Sequence, residues 1–210
     1  MSTDLLKDRS YTIIIARSGV SRERNHPWFN EWVDAQASLI DLAKKCREFD
    51  SDGLTIYEAS SYLKKYEKAT VNRLADLLQE NNRSCVTNVI EINVVEAVAD
   101  VLNRYFERKE NNLTKPKGEI VIVVLDKHGI DGIGDIQQLI IKSSQKMDYA
   151  EELGITFIQV GDDATTRRFM TGLDDDLTQV GAKFDIVDTK YWHEVKRTSI
   201  NQFLIDAIFD

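Results

Sequence analysis

Positively charged side chains follow two stretches of the sequence that are predicted to be buried strands. Arg17 and Arg22 come after the first apolar stretch, and Lys127 and His128 directly follow the strongest one. An arginine guanidinium can bind a carboxylate through two parallel hydrogen bonds, and lysine adds a compact positive charge. We therefore expect these four side chains to capture a carboxylate of a partner protein, with solvated loop charges as the alternative interpretation.

Aromatic side chains crowd the segment between residues 22 and 32, close to the charged loop. Trp28, Phe29 and Trp32 follow Pro27 closely in this segment. Tryptophan and arginine are enriched at the energetic centres of protein interfaces. Trp28 is therefore a candidate partner contact, although an apolar entry to the first helix would use the same residue. Trp32 is expected to pack down on the core.

The sequence lacks the short patterns that mark several common catalytic sites. It contains neither the Gly-x-x-x-x-Gly-Lys-Ser/Thr phosphate loop nor the Gly-x-Ser-x-Gly elbow of hydrolases. Gly129, Gly132 and Gly134 follow a predicted strand, but in the wrong order for a dinucleotide fingerprint. His26 and His128 could approach each other, yet no nucleophile or orienting acid accompanies them. A non-catalytic role is favoured.

Strands and helices alternate along the chain, and this alternation decides where the candidate residues meet. Strands are predicted at the apolar runs 11–16, 54–59, 119–126, 155–160 and 184–187, with a short one at 62–66. Helices are predicted at 29–49, 71–79, 87–108, 135–147, 165–180 and 195–209. Such alternation predicts a doubly wound, mostly parallel sheet with helices on both faces. The carboxyl ends of its strands would gather the loops after residues 16 and 126 and the start of the helix at 87.

These three loops resemble those of a von Willebrand factor A-type (vWA) domain. The resemblance is carried by Ala16-Arg17-Ser18-Gly19-Val20-Ser21, by Thr87-Asn88 and by Val123-Val124-Leu125-Asp126, and the blocks 154–161 and 181–188 fit it too. The chain is similar in particular to small, soluble, single-domain vWA proteins of bacteria, cyanobacteria among them. The resemblance implies a three-layer Rossmann-like α/β vWA fold with a mostly parallel six-stranded sheet. One domain would span residues 1–210, with about nine polar residues leading into it.

The resemblance also implies a metal-ion-dependent adhesion site at the carboxyl ends of the strands. In the family this site uses an Asp-x-Ser-x-Ser stretch, a threonine and a second aspartate, whose oxygens suit Mg²⁺. Ser18, Thr87 and Asp126 remain here, but Ala16 and Val20 stand where the family has an aspartate and a serine. We therefore expect Mg²⁺ binding to be lost or strongly weakened, and no cofactor is predicted.

Composition and charge exclude several classes of partner. The chain has 210 residues, with 27 Lys and Arg against 35 Asp and Glu, which gives a formal net charge of −8. This balance disfavours nucleic acid as a partner. The apolar runs are far too short to span a bilayer, and the N-terminus lacks an apolar signal segment. We expect a cytoplasmic protein that binds neither nucleic acid nor membrane.

Three functional interpretations remain open from the sequence. The favoured one is a non-catalytic protein–protein interaction module that docks an unidentified partner protein through the strand-end loops without Mg²⁺. A second interpretation keeps Mg²⁺, held by Ser18, Thr87 and Asp126 together with a carboxylate of the partner. A third is a small-molecule sensor or enzyme that uses His128, Asp126 and Ser18 in the strand-end crevice.

Overall fold

Six β-strands form one sheet in the computed structural model, which describes residues 3–60, 62–83, 92–127, 133–175 and 177–209. The strands are β1 (Ser10–Ala16), β2 (Leu54–Ala59), β3 (Leu63–Ala69), β4 (Glu119–Leu125), β5 (Leu153–Gln159) and β6 (Val187–Tyr191). Their order across the sheet is β3-β2-β1-β4-β5-β6. All neighbours pair in parallel except β2 and β3, which are antiparallel.

Helices cover both faces of this sheet. One apolar layer contains α1 (Pro27–Phe49), α2 (Val71–Arg83), α6 (Trp192–Val195) and α7 (Ile200–Asp206). The opposite layer contains α3 (Val94–Glu110), α4 (Ile133–Gln145) and α5 (Ala164–Asp174). The predicted fold class, a three-layer Rossmann-like α/β fold with a mostly parallel six-stranded sheet, is confirmed. Within the described ranges, no helix combines the length and the apolar character needed to cross a bilayer.

The central strand β4 is buried along its whole length and positions the candidate site. From Ile120 to Leu125, its even-numbered residues pack in the α1 layer and its odd-numbered residues in the α3 layer. A strand covered on both faces needs apolar side chains throughout, which explains the continuous apolar run. Because Ala16 lies opposite Leu125 in the register of β1 and β4, the loops that follow these two strands begin side by side.

The chain between α5 and β6 differs from its prediction. The helix predicted at 165–180 ends at Asp174, and the strand predicted at 184–187 begins only at Val187. Acidic side chains at a helix C-terminus oppose the helix dipole, so the dipole does not favour an end at Asp174 and a tertiary contact must hold it there. The carboxylate of Asp174 accepts the backbone N–H of Thr189 at 3.1 Å, which joins the end of α5 to β6.

Other elements also differ from their predictions at the ends. The C-terminal helix predicted at 195–209 is two helices, because the hydroxyl of Ser199 accepts the N–H of Gln202 at 3.3 Å and starts α7. The strand predicted at 62–66 extends through Leu63–Ala69 as the antiparallel edge. The helix predicted from residue 87 is α3, which begins at Val94, whereas residues 84–91 lie outside the described ranges.

Gly154 allows the C-terminal segment to pack directly against β5. A Cβ atom at this position would lie 1.9 Å from the backbone carbonyl oxygen of Ala207. Gly154→Ala is therefore expected to lower the free energy of unfolding by about 2 to 3 kcal/mol, since backbone cannot rotate away as a side chain can. Urea denaturation measures this loss.

Gly172→Ala, within α5, is the matched control for this prediction. A Cβ there meets no atom within 4 Å, so the variant is expected to gain about 0.5 to 1 kcal/mol of stability from helix propensity. Equal effects of the two substitutions would contradict the close approach at Gly154.

Candidate functional site

Asp126 lies at the centre of the candidate site and is completely buried. Both of its carboxylate oxygens accept from the backbone N–H of Ser18, at 3.1 and 3.2 Å, and one also accepts from the indole Nε1–H of Trp32 at 2.8 Å. Burial raises the pKa of Asp126, and hydrogen bonds from Ser21, Trp32 and Ser18 oppose that rise. The carboxylate is an internal acceptor, held between the loop after β1 and helix α1.

Arg17 brings a buried positive charge into the same region. One terminal nitrogen donates to the side-chain oxygen of Asn82 and the other to the backbone carbonyl of Ser21 at 2.6 Å. The guanidinium carbon lies 5.3 Å from the ring centre of Trp32 and 5.4 Å from that of Phe29, within cation–π range. Burial lowers the pKa of Arg17 to about 10, so the group is still charged at neutral pH.

Arg22 is the second buried cation, in the short 3-10 helix that follows β1. Its guanidinium lies 3.9 Å from the carboxylate of Glu58, near the end of β2, and donates to the carbonyl of Arg17 at 3.5 Å. Burial lowers the pKa of Arg22, and the charges of Glu58 and Asp126 oppose the decrease. Lys64, which is exposed, pairs with Glu58 at 3.1 Å. Two guanidinium groups and two carboxylates thus share the interior of the strand ends.

The expectation that Arg17 and Arg22 form an exposed carboxylate-binding surface needs correction. Arg17 is 1% exposed and Arg22 is 7% exposed. The physical reason is that their donors are used inside the protein, because Arg17 donates to Asn82 and Ser21 and Arg22 lies 3.9 Å from the buried carboxylate of Glu58. Lys127 lies half-buried just after β4. His128 lies outside the described residues, so its predicted contact is neither supported nor contradicted.

Trp28 is half-buried at the first turn of α1 and contacts the loop after β5. Its indole Nε1–H donates to Asp162 at 2.8 Å, and its backbone N–H donates to the ring of His26 at 3.3 Å. Gly161 has φ 91°, and a Cβ there would lie 2.9 Å from the indole ring. Trp28 therefore joins two strand-end loops, as expected of an apolar entry to the first helix. It also keeps part of its surface exposed, as expected of a partner contact.

Several groups that complete the site were not identified from the sequence. Trp32 packs on the core as expected, but its N–H also holds Asp126. Asn82, in α2, accepts from Arg17 and donates to Gln36 of α1 at 3.0 Å. A signal existed for Glu58, because it is an acidic residue near the carboxyl end of an otherwise mainly apolar strand.

The described residues do not fit the Mg²⁺ site that the vWA resemblance implies. Ala16 is buried in the α3 layer and Val20 is partly exposed, and neither supplies an oxygen ligand from its side chain. The oxygens of Asp126 already accept N–H groups. In the part of the chain that the structure describes, no three His, Cys, Asp or Glu side chains could together hold a metal ion. Thr87 lies outside that part.

Charge and local geometry also oppose a divalent cation at this place. A dication and a guanidinium about 7 Å apart repel by roughly 5 kcal/mol at an effective dielectric constant of 20. Each of the two buried guanidinium groups would add a repulsion of this kind, which opposes the attraction between Asp126 and the dication. The hydroxyl of Ser18 accepts from the backbone N–H of Ser21 at 3.5 Å, a turn-capping role that needs no metal.

Two cavities in the described part of the chain lie away from Asp126. One of about 140 Å³ lies between the sheet and α3, with Glu119 and Arg108 in its lining. Another of about 180 Å³ is lined by residues from α1 and from the segment that contains α6 and α7. Neither is lined by Ser18 or Asp126, the groups that the sensor or enzyme interpretation would use.

Comparisons with known proteins show the fold alone. No protein-family model matches the chain, and no curated protein matches it. One structure of proximal thread matrix protein 1 from the mussel byssus (crystal form 2) is similar with a TM-score of 0.52 and 14% identity, over 96% of this chain and 48% of that one. Another structure of the same matrix protein gives a TM-score of 0.47 and 13% identity, over 97% and 47%. The chain spans about half the length of this matrix protein.

Asp126→Asn is expected to lower the free energy of unfolding by about 2 to 4 kcal/mol at pH 7. An amide nitrogen cannot accept the N–H groups of Ser18 and Trp32, so a buried donor loses its acceptor. Urea denaturation measures the loss, with Asp34→Asn on the exposed side of α1 as control. That control is expected to stay within about 0.5 kcal/mol of the wild type, and equal stability of the two variants would contradict the account.

The raised pKa of Asp126 predicts how this stability difference changes with pH. Because the pKa is higher in the folded chain, the folded state binds more protons as the pH falls from 7 towards the unfolded value of about 3.9. The stability linked to this group is therefore greatest at low pH and is lost as the pH rises through the folded pKa. The wild type should gain stability relative to Asp126→Asn between pH 7 and pH 4.5, and urea curves that show the opposite trend would refute this.

Proposed function

We propose that this protein is a vWA-type protein–protein interaction module that docks a partner through the strand-end loops without a bound metal ion. One observation carries the proposal. Internal charges fill the space beneath the loops after β1 and β2, while the large apolar side chains of Val20 and Tyr62 remain exposed on those loops. Tyr62 is 80% exposed and Val20 is 40% exposed.

The proposed docking surface consists of five side chains, those of Val20, Arg24, Trp28, Tyr62 and Lys127. Val20 and Tyr62 follow the adjacent parallel strands β1 and β2, and Lys127 follows β4 on the other side of β1. Exposed tyrosine, tryptophan and arginine are the residues that most often dominate the binding energy of interfaces.

The charge of this surface favours a partner with exposed carboxylates. Arg24 is exposed and Lys127 is half-buried, on a chain whose overall formal charge is −8. Glu23 is an exposed acid of the same loop, so the local positive charge is modest. Complementary charge of this size guides association and orientation more than it adds affinity. The contact predicted between His128 and a carboxylate of the partner is part of the same proposal.

The buried network beneath the surface supports metal-independent docking. Arg17 holds the loop after β1 against α1 and α2, and Ser18 holds the same loop against Asp126. A loop that is already ordered loses less conformational entropy when a partner binds. A cytoplasmic location is part of the proposal, and the buried free thiol of Cys46 is compatible with a reducing compartment.

Partner binding is expected to depend on Val20 and Tyr62 and to be insensitive to Mg²⁺. Partners captured by cross-linking to the wild type are expected to lose about tenfold or more in affinity for the Val20→Ser/Tyr62→Ser variant, since the apolar contacts are removed. Affinities are measured with the identified partner by calorimetry, in MgCl₂ and in EDTA.

Leu113→Ser/Val180→Ser is the matched control for surface apolar loss. Both residues are exposed, but they precede β4 and β6 and so lie towards the amino ends of the strands, opposite the proposed docking surface. The proposal predicts unchanged affinity for this control. Equal losses in both double variants would argue against docking through the strand-end loops, and loss of binding in EDTA would instead favour the Mg²⁺-assisted interpretation.

A further inference from the structure

We propose that Arg17 is a built-in cation of the strand-end site, whose guanidinium offsets part of the charge of Asp126 and orders the surrounding loop. The inference follows from the geometry of the buried site, and it holds or fails independently of the proposed docking function. It explains how a chain that lacks the oxygen ligands for a metal ion can still keep a buried carboxylate at the end of β4.

Asp126 needs positive charge and hydrogen-bond donors around it. Asp126 is fully buried, and a buried carboxylate is costly unless positive charge and donors surround it. Arg17 and Arg22 are both buried, and the charge of Asp126 acts to keep each of them protonated. Arg22 has a second acid, Glu58, at 3.9 Å, whereas no carboxylate of the described residues forms an ion pair with Arg17. Asp126 is among those carboxylates, so the charge of Arg17 acts on it from beyond ion-pair distance, with Trp32 in contact with both groups.

Arg17 also orders the loop after β1. Arg17 contacts three separate parts of the fold: Asn82 in α2, the carbonyl of Ser21 in the loop after β1, and the rings of Phe29 and Trp32 in α1. A metal ion joins loops by collecting their oxygen atoms. The planar guanidinium joins them here with donors in fixed directions and with its flat faces.

Trp32 contacts both charged groups. Its N–H edge donates to Asp126 at 2.8 Å, and its ring lies 5.3 Å from the guanidinium carbon of Arg17. One side chain thus contacts both the carboxylate and its cation. Arg17 donates to oxygen atoms through its two terminal nitrogens only. A small guanidinium ion that is not attached to the chain can therefore donate to the same oxygen atoms.

The test is chemical rescue of the Arg17→Ala variant. Its melting temperature is expected to fall by about 6 to 12 °C, because a buried carboxylate loses its cation. Methylguanidinium at about 20 mM is expected to restore several degrees of this loss by binding the folded state in place of the side chain. The same salt should change the wild type and the control Arg24→Ala, an exposed position of the same loop, by no more than about 1 °C.

Two outcomes of the rescue experiment would overturn the proposal. The first is a folded Arg17→Ala variant that gains no more from methylguanidinium than Arg24→Ala does. The second is equal rescue by methylammonium, which has the charge but lacks the planar pair of donors. Sodium chloride at the same ionic strength serves as the baseline for every arm.

Arg17→Lys and Arg17→Met keep the proposal testable if Arg17→Ala does not fold. The lysine variant preserves charge and is expected to lose less than half of the melting temperature lost by the methionine variant. A methionine variant as stable as the lysine variant would show that charge is not required. Mg²⁺ is expected to leave the wild-type melting temperature unchanged, and an increase that EDTA reverses would assign the task to a metal.

Discussion

The buried carboxylate of Asp126 determines how the strand-end loops of this protein are arranged. An ionised carboxylate inside a protein must be surrounded by donors and positive charge, because water no longer solvates it. The backbone of Ser18 and the indole of Trp32 donate to Asp126 from different parts of the chain, and the buried guanidinium of Arg17 contacts the ring of the same tryptophan. The loop after β1 is consequently closed over the end of β4, and α1 is fixed against both.

This closure separates the interior of the strand ends from their surface. In many doubly wound sheets, the carboxyl ends of the strands form a crevice that accepts a ligand. Here arginine and tryptophan side chains occupy the region beside Asp126, and among the described residues of the loops after β1 and β2 the exposed apolar side chains are those of Val20 and Tyr62. The proposed docking of a protein partner rests on this exposed surface.

The sheet could be predicted from the sequence because its information is local. The continuous apolar run of β4 indicates a strand buried on both faces, and no distant residue is needed to recognise it. The ends of α5 and β6 were harder to predict, since the carboxylate of Asp174 binds Thr189, fifteen residues further along the chain. Such a contact outweighs the weak helical pattern that continues beyond it.

The orientation of the arginines could not be predicted because it depends on distant partners. Arg17 donates to Asn82, 65 residues away, and Ser18 donates to Asp126, 108 residues away. From the sequence alone, an arginine after a strand is most simply an exposed loop charge. The loss of oxygen ligands at Ala16 and Val20 was visible in the sequence, but the groups that surround Asp126 instead became evident only from the fold.

The most direct test of this account follows the indole N–H signal of Trp32 by NMR during a titration with Mn²⁺. A paramagnetic ion bound beside Asp126 would broaden this signal selectively, since the indole nitrogen lies 2.8 Å from the carboxylate. The account predicts that the signal persists with no more broadening than those of Trp28 and Trp192. Selective loss of the Trp32 signal, restored by EDTA, would contradict it.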